Sequence, residues 1–174
     1  MNALKIKSKL RTVDDFPKKG ITFFDIAPIL EDPALYDIAI NEMLKKFDSF
    51  EEVDKIIALD ARGFIFASVI ARERNKGLVM ARKKGKLPYT TISCSYGLEY
   101  GNNELEIHID SIKPNEKAVI IDDLLATGGT AEAAGNICKQ LGGIVQGFLF
   151  FSEIEALNGR RKLNGHKVES FIKL

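Results

Sequence analysis

Asp122 and Asp123 stand side by side at the end of the apolar run Ala118–Ile121, and the small-residue sequence Thr127-Gly128-Gly129-Thr130 follows shortly after. Glycines 128 and 129 lack a Cβ, so the backbone can turn tightly there and come close to a ligand. Thr127 and Thr130 add hydroxyl donors, and the unpaired N–H groups of a following helix would face the same point. Such a cradle suits a phosphate. The two carboxylates cannot serve it, because they repel a phosphate dianion. Their partners are neutral hydroxyls, such as those of a ribose, or a metal ion. Phosphate cradle and carboxylate pair together describe a site for a 5-phosphorylated pentose. A plain strand-to-helix turn with Asp as N-cap is the bland alternative, but it requires neither two carboxylates nor two threonines. A triphosphatase P-loop is excluded, since Gly128-Gly129-Thr130 has no lysine before its hydroxyl residue.

A second loop repeats the pattern. Ile56-Ile57-Ala58-Leu59 is apolar, Asp60-Ala61-Arg62-Gly63 is a short loop, and Phe64 opens a helical stretch. Arg62 supplies a forked cation suited to phosphate. Alone, this is better read as an ordinary strand–helix turn. Beside the first cradle it becomes a second anion site. Arg82, Lys83, Lys84 and Lys86 then concentrate positive charge just past the next strand, where a solvated basic loop is the other reading.

These loops need strands and helices to hold them. Ala118–Ile121 has the unbroken apolar character of a parallel strand buried on both faces. Ala134, Ile137, Cys138 and Leu141 fall at helical spacing, which predicts a helix over 130–141 ended by Gly142-Gly143. Further strands are expected at Lys55–Leu59, Gly77–Ala81, and near 104–109, 117–121, 145–151 and 168–172, with a helix over Phe64–Arg74. Strand alternating with helix argues for an α/β fold with a parallel sheet, whose ligands bind at the carboxyl ends of strands. The first 50 residues read as an amphipathic helix Ala3–Val13, an irregular apolar segment Phe16–Leu30 and a helix Pro33–Phe50. Residues 88–103 form a polar stretch without helical period, of a length typical of a lid.

Composition narrows the class. The chain has 174 residues, which suits a single domain spanning 1–174. Its net charge of +1 gives no global field for nucleic acid. Its apolar runs, such as Phe148–Phe151, are too short to cross a bilayer. The charged start Met1–Lys9 has no apolar signal region, and Cys94 and Cys138 show no C-x-x-C spacing. A cytoplasmic protein with free thiols is expected. His108 and His166 have no partner at metal spacing, so no protein-built metal site is expected.

Asp122–Thr130 resembles the ribose-phosphate signature of the type I phosphoribosyltransferases, and Asp-Asp-Leu-Leu-Ala-Thr-Gly-Gly-Thr is similar to the adenine branch in particular. Ala61–Phe64, Arg82–Pro88, Leu98–Gly101 with Glu104–Ile107, and Phe16-Pro17 with Gly20 match that branch in the same order, over roughly residues 14–150. The resemblance implies the type I phosphoribosyltransferase fold, a central, mostly parallel sheet flanked by helices with a small N-terminal hood. It implies purine salvage: transfer of the 5-phosphoribosyl group from phosphoribosyl pyrophosphate to adenine, giving AMP and pyrophosphate, with Mg²⁺ carried mainly by the substrate and a homodimer as the assembly.

Carried over residue by residue, Asp122, Asp123, Ala126, Thr127, Gly128, Gly129 and Thr130 would hold ribose and 5-phosphate. Arg62, Arg82, Lys83 and Lys86 would hold pyrophosphate, with the Arg82–Lys86 loop near the other subunit's site. Glu99 would handle the base proton, and Thr22, Phe23 and Leu124 would line the adenine pocket. Relatives acting on 6-oxopurines carry a carboxylate where this chain has Ala126, which favours adenine. The family's Phe-Arg-Asp is here Phe23-Phe24-Asp25. Transfer to xanthine, guanine or hypoxanthine is the alternative. A ligand-sensing regulator is the reading from another class, and it would call for a separate DNA-binding module.

Overall fold

The computed structural model describes residues 2–97 and 103–174. Its centre is a seven-stranded sheet in the order β5-β6-β4-β3-β7-β8-β9. The strands are β3 (Lys55–Leu59), β4 (Gly77–Lys83), β5 (Thr91–Tyr96), β6 (Asn103–His108), β7 (Lys117–Leu125), β8 (Ile144–Glu153) and β9 (Lys167–Lys173). β3 pairs in parallel with β4 and β7, β7 with β8, and β8 with β9. Side chains alternate along a strand, so a run apolar at every position feeds two cores. Ile56, Ala58, Val119, Ile121, Leu149 and Phe151 enter one, while Ile57, Leu59, Ala118, Ile120, Phe148 and Phe150 enter the other.

The first core is covered by α3 (Pro33–Phe47) and α4 (Gly63–Glu73), with Phe66 stacked on Phe151 at 4.8 Å between ring centroids. Asp32 caps α3 by accepting from the N–H groups of Ala34 and Leu35, and Pro33 occupies the first turn, where its missing N–H costs nothing. The second core lies under α5 (Gly129–Gln140). Its face of Ala131, Ala134 and Gly135 lets the helix sit close to the sheet, with Gly135 against Phe148.

Four segments depart from the sequence expectation. The amphipathic run Ala3–Val13 is not one helix. Asn2–Lys7 forms α1, and Arg11–Val13 is a strand, β1, antiparallel to β2 (Phe23–Asp25). Lys9 and Leu10 leave the helix, and Arg11 reaches Asp25 across the small ribbon at 3.1 Å. This ribbon, followed by the short helix α2 (Ala27–Glu31), is the hood. Residues 88–103 are not simply a loop, since Thr91–Tyr96 pairs antiparallel with β6 to form a hairpin at the sheet edge. Here alternation of exposed and half-buried residues carries the strand, a weaker signal than an apolar run. The third departure is β7, which continues past Ile121 through Leu125 and so carries both aspartates within the strand. Pairing to β8, Asp122 with Phe150 and Leu124 with Ser152, holds it extended there. The helix from Pro33 ends at Phe47, not Phe50.

Candidate active site

β3 leads through α4 to β4 on one side of it, while β7 leads through α5 to β8 on the other. The chain therefore diverges between β3 and β7, and the crevice beyond their carboxyl ends is a topological switch point. Both sequence-predicted loops open there.

After Leu125 the backbone turns through Ala126, Thr127 and Gly128 into α5. Gly128 has φ +80°, and a Cβ on it would lie 2.5 Å from the carbonyl oxygen of Gly159, so conformation and space both demand glycine. Asp122, Leu124, Ala126, Thr127, Gly128, Gly129 and Thr130 line a concavity of about 70 Å³. That volume takes a group of a few atoms, not a nucleotide. Helix N-terminal N–H groups and two threonines make it an anion cradle.

The aspartates beside it differ in exposure, Asp122 being half-buried at the cradle's edge. Asp123 is buried, and its carboxylate meets the Arg62 guanidinium at 2.9 Å. Asp122 accepts the Asp123 N–H at 2.8 Å, and its carboxylate lies so near Gly63 that a Cβ there would approach to 2.8 Å. Gly63 thus lets the second loop close onto the first. Burial pushes the Asp122 carboxyl well up, and the neighbouring Asp123 charge pushes it further. Burial also raises Asp123, and Arg62 works against it. A buried carboxylate paired with one cation, beside a half-buried one that faces the cradle, suits a partner that brings hydroxyls or positive charge.

Arg62 sits at the start of α4, just after the cis peptide Asp60–Ala61, and its guanidinium also lies over the Phe23 ring at 5.1 Å. Phe16 meets the same ring edge-on at 5.3 Å. The hood therefore touches the second loop directly. Thr22 is exposed on the hood, with its hydroxyl donating to Asp14. Arg82 belongs to the second loop's surroundings, with Nε 3.1 Å from Asp60 Oδ2 and its guanidinium facing the Phe64 ring. Lys83 and Lys86 are exposed.

The basic stretch has acidic neighbours, because β6 lies alongside it. Lys84 pairs with Glu104 at 2.7 Å, and the backbone N–H groups of Lys86 and Leu87 donate to Glu106. Strand alternation alone sends Glu104 and Glu106 to one face, toward solvent. Glu106 is instead buried, 4 % exposed, because the Arg82–Leu87 turn folds over it. Glu99 lies outside the described residues. The hairpin strand before it places Tyr96 beside Gly129, within 4 Å of a Cβ built there.

The structure also brings in residues that sequence reading passed over: Asp60, Tyr96, Gly159 and Lys162. Asn158-Gly159 marks a turn in any sequence, but nothing local says which loop the turn will touch. No group of three or more His, Cys, Asp or Glu able to hold a metal occurs among the described residues. One or two carboxylates sharing Mg²⁺ with substrate phosphates need no such cage, and the Asp122–Asp123 pair fits that arrangement.

Comparison with known proteins agrees with this geometry. A family model, the phosphoribosyl transferase domain, matches residues 26–144. The chain is 51 % identical over 169 residues to an adenine phosphoribosyltransferase of Acetivibrio thermocellus, covering 97 % of this chain and 99 % of the relative. A crystal structure of the adenine phosphoribosyltransferase from Thermoanaerobacter pseudethanolicus superposes with a TM-score of 0.95 at 44 % identity, over 99 % of both chains. The Saccharomyces cerevisiae enzyme, solved with an imino-altritol bisphosphate and adenine, gives a TM-score of 0.89 at 34 % identity over 98 % of both chains.

Proposed function

Because the chain belongs to the adenine phosphoribosyltransferase family, we propose that residues 1–174 act as one domain that transfers the 5-phosphoribosyl group of phosphoribosyl pyrophosphate to adenine, giving AMP and pyrophosphate in purine salvage. The observation that carries this reading is a phosphate cradle flanked by the Asp122–Asp123 pair, with the Arg62 loop closed against it across a switch point. That arrangement suits a sugar bearing a phosphate at one end and an anionic leaving group at the other.

The proposed roles are these. Thr127, Gly128, Gly129 and Thr130, with Ala126, take the 5-phosphate on hydroxyls and N–H groups. Asp122 and Asp123 accept from the ribose hydroxyls, fix the ring, and favour cationic character at its reacting carbon. Arg62 leaves Asp123 for the pyrophosphate, and Arg82, Lys83 and Lys86 add charge on the same side. Phe23 and Leu124 flank the base, and the Thr22 backbone meets its edge. Glu99 accepts the proton that adenine loses at N9, a role resting on the resemblance. Mg²⁺, carried mainly by the substrate, would supply charge neutralisation at the pyrophosphate. A cytoplasmic location suits these substrates, and no helix among the described residues is long and apolar enough to cross a membrane.

The deciding experiment is a turnover assay of adenine, hypoxanthine, guanine and xanthine with phosphoribosyl pyrophosphate and Mg²⁺. Adenine is expected to lead by about 10² or more in kcat/KM, because a hydrogen-bonding pocket rejects a reversed donor pattern strongly. A 6-oxopurine in first place would transfer the assignment to the alternative base. No turnover with any base would sink the enzyme reading.

The active form proposed is a homodimer. On β4, Leu78 and Met80 are 42 % and 46 % exposed although the strand lies inside the sheet, and the exposed Lys83 and Lys86 follow them. An apolar strip leading to a basic loop suits a partner that buries the first and receives the second. Light scattering is expected to give a dimer, and Leu78→Lys with Met80→Lys should weaken it. A monomer retaining full activity at assay concentration would defeat the proposal.

A further inference from the structure

Behind the phosphate cradle lies a turn to which no role has been given. Gly159–Leu163 forms a 3₁₀ segment entered through Asn158, whose φ is +51°. Its first residue touches the cradle from the rear. A Cβ on Gly128 would meet the Gly159 carbonyl oxygen at 2.5 Å, and a Cβ on Gly159 would meet the Ala126 carbonyl oxygen at 2.3 Å and Leu125 Cδ1 at 2.9 Å. Gly159 does not have positive φ, so its backbone would accept alanine. Only the closeness of the phosphate loop requires glycine there.

The turn is also clamped. Arg160 Nε and Nη2 each lie 2.7 Å from a Glu153 carboxylate oxygen, Nη2 donates to Ser170 Oγ at 3.1 Å, and Nη1 donates to the Val168 carbonyl at 2.8 Å. Ser170 donates in turn to Glu153 at 2.7 Å. The Glu153 side chain is 5 % exposed, and burial, which would raise its carboxyl, is outweighed by Arg160 and Ser170, so it stays ionised. Glu153 pairs with Leu125 across β7 and β8, and the N–H of Ile154 donates to the Leu125 carbonyl. The fork therefore ties the turn to the strand end from which the phosphate loop departs. Only the carboxylate of this pair is buried, and the partly exposed guanidinium contributes through its rigid fork, which fixes relative position more than it adds stability.

We propose that residues 158–163 form a backstop that sets the backbone of the 5-phosphate loop, with Gly159 and Arg160 as positioning residues for phosphoribosyl binding. This rests on the phosphoribosyltransferase reading above. Gly128 and Gly159 are then one device, two backbones in direct contact, and the Arg160–Glu153–Ser170 network holds the rear one still.

The test compares KM for each substrate, calorimetric affinity for phosphoribosyl pyrophosphate, and Tm. Gly159→Ala is expected to raise KM for phosphoribosyl pyrophosphate by about 10- to 100-fold, the size of effect that an ångström of misplacement produces. Adenine KM should stay within about threefold, and Tm should fall by a few degrees at most, because the Ala126 carbonyl must shift to admit the methyl group. Arg160→Lys keeps the charge and loses the fork, so it should fall between. The pair Glu153→Met with Arg160→Met removes the clamp without leaving a lone buried charge. It should weaken phosphoribosyl pyrophosphate while holding Tm, and it decides the matter if Gly159→Ala does not fold. Phosphoribosyl pyrophosphate affinity within about twofold of the parent in these folded variants overturns the backstop. So does a rise in both KM values that follows a falling Tm, because a loosened fold does that. The parent is titrated alongside. If it does not bind phosphoribosyl pyrophosphate, the functional reading fails; if it binds and the variants match it, only the backstop fails.

Discussion

Asp122→Asn with Asp123→Asn is expected to yield an enzyme that binds phosphoribosyl pyrophosphate about 10²–10⁴-fold more weakly, since each lost charge-assisted hydrogen bond costs roughly 1.5–3 kcal/mol. The same variant should be more stable than the parent when unliganded at neutral pH. Both carboxyls are raised in the folded state, by burial first. A carboxyl whose folded pKa lies above its unfolded one stabilises the fold fully only below the unfolded pKa, and that contribution is lost as pH rises through the folded pKa. Asparagine keeps the uncharged state at every pH. The gain in Tm should therefore be largest above the raised pKa values. It should shrink as pH falls and vanish below about 4, where free aspartate is itself protonated. Each ~1 kcal/mol regained corresponds to about 2–4 °C in a chain of this length. Loss of the Arg62–Asp123 pair offsets part of the gain, so Asp122→Asn alone should show it more cleanly. Calorimetric titration and melts from pH 4 to 8 check both halves. Unchanged affinity in the folded double variant would remove the ribose role, and a Tm gain that grows toward acid would contradict the burial account.

Glu99→Gln should lower turnover of adenine by about 10²–10⁴-fold, the usual range for general acid–base help, while KM for phosphoribosyl pyrophosphate moves much less. Gln keeps size and hydrogen bonding but cannot take the N9 proton. The acidic limb of the parent's pH–rate profile should vanish as well. The structure weakens the nearest substitutes for this role. Burial pushes the Glu106 carboxyl up, but N–H groups of Leu87, Gly85 and Lys86 and the Thr91 hydroxyl outweigh it and leave it lowered. Hydrogen bonds from Lys84 and Ser93 lower Glu104. Carboxylates so stabilised are poor bases. A Glu99→Gln enzyme within about threefold of the parent would end the assignment.

The two chemical loops were legible because their signals are local. A buried parallel strand must be apolar at every position, and Ile56–Leu59 and Ala118–Ile121 are. A backbone that bends close to an anion must lack Cβ atoms, and Gly128-Gly129 do. Local terms mislead where two structures suit the same residues. Ala3–Val13 is amphipathic at helical spacing, yet pairing with Phe23–Asp25 draws Arg11–Val13 into a ribbon. Thr91–Tyr96 is too polar to announce a strand until β6 supplies its partner.

By itself, then, the sequence determined the α/β class, the positions of the phosphate loop and the Arg62 loop, and the residue types that make the site's chemistry. These follow from periodicity, from glycine's freedom, and from which groups can face phosphate or hydroxyl. Only the tertiary structure decided that Arg62 meets Asp123, that Gly63 presses on Asp122, that Glu106 lies beneath the basic turn, and that Gly159 stands behind Gly128. Each is a contact between segments distant in the chain. Such contacts are set by strand order and by how closely backbones can approach, and neither leaves a trace in the residues on one side alone.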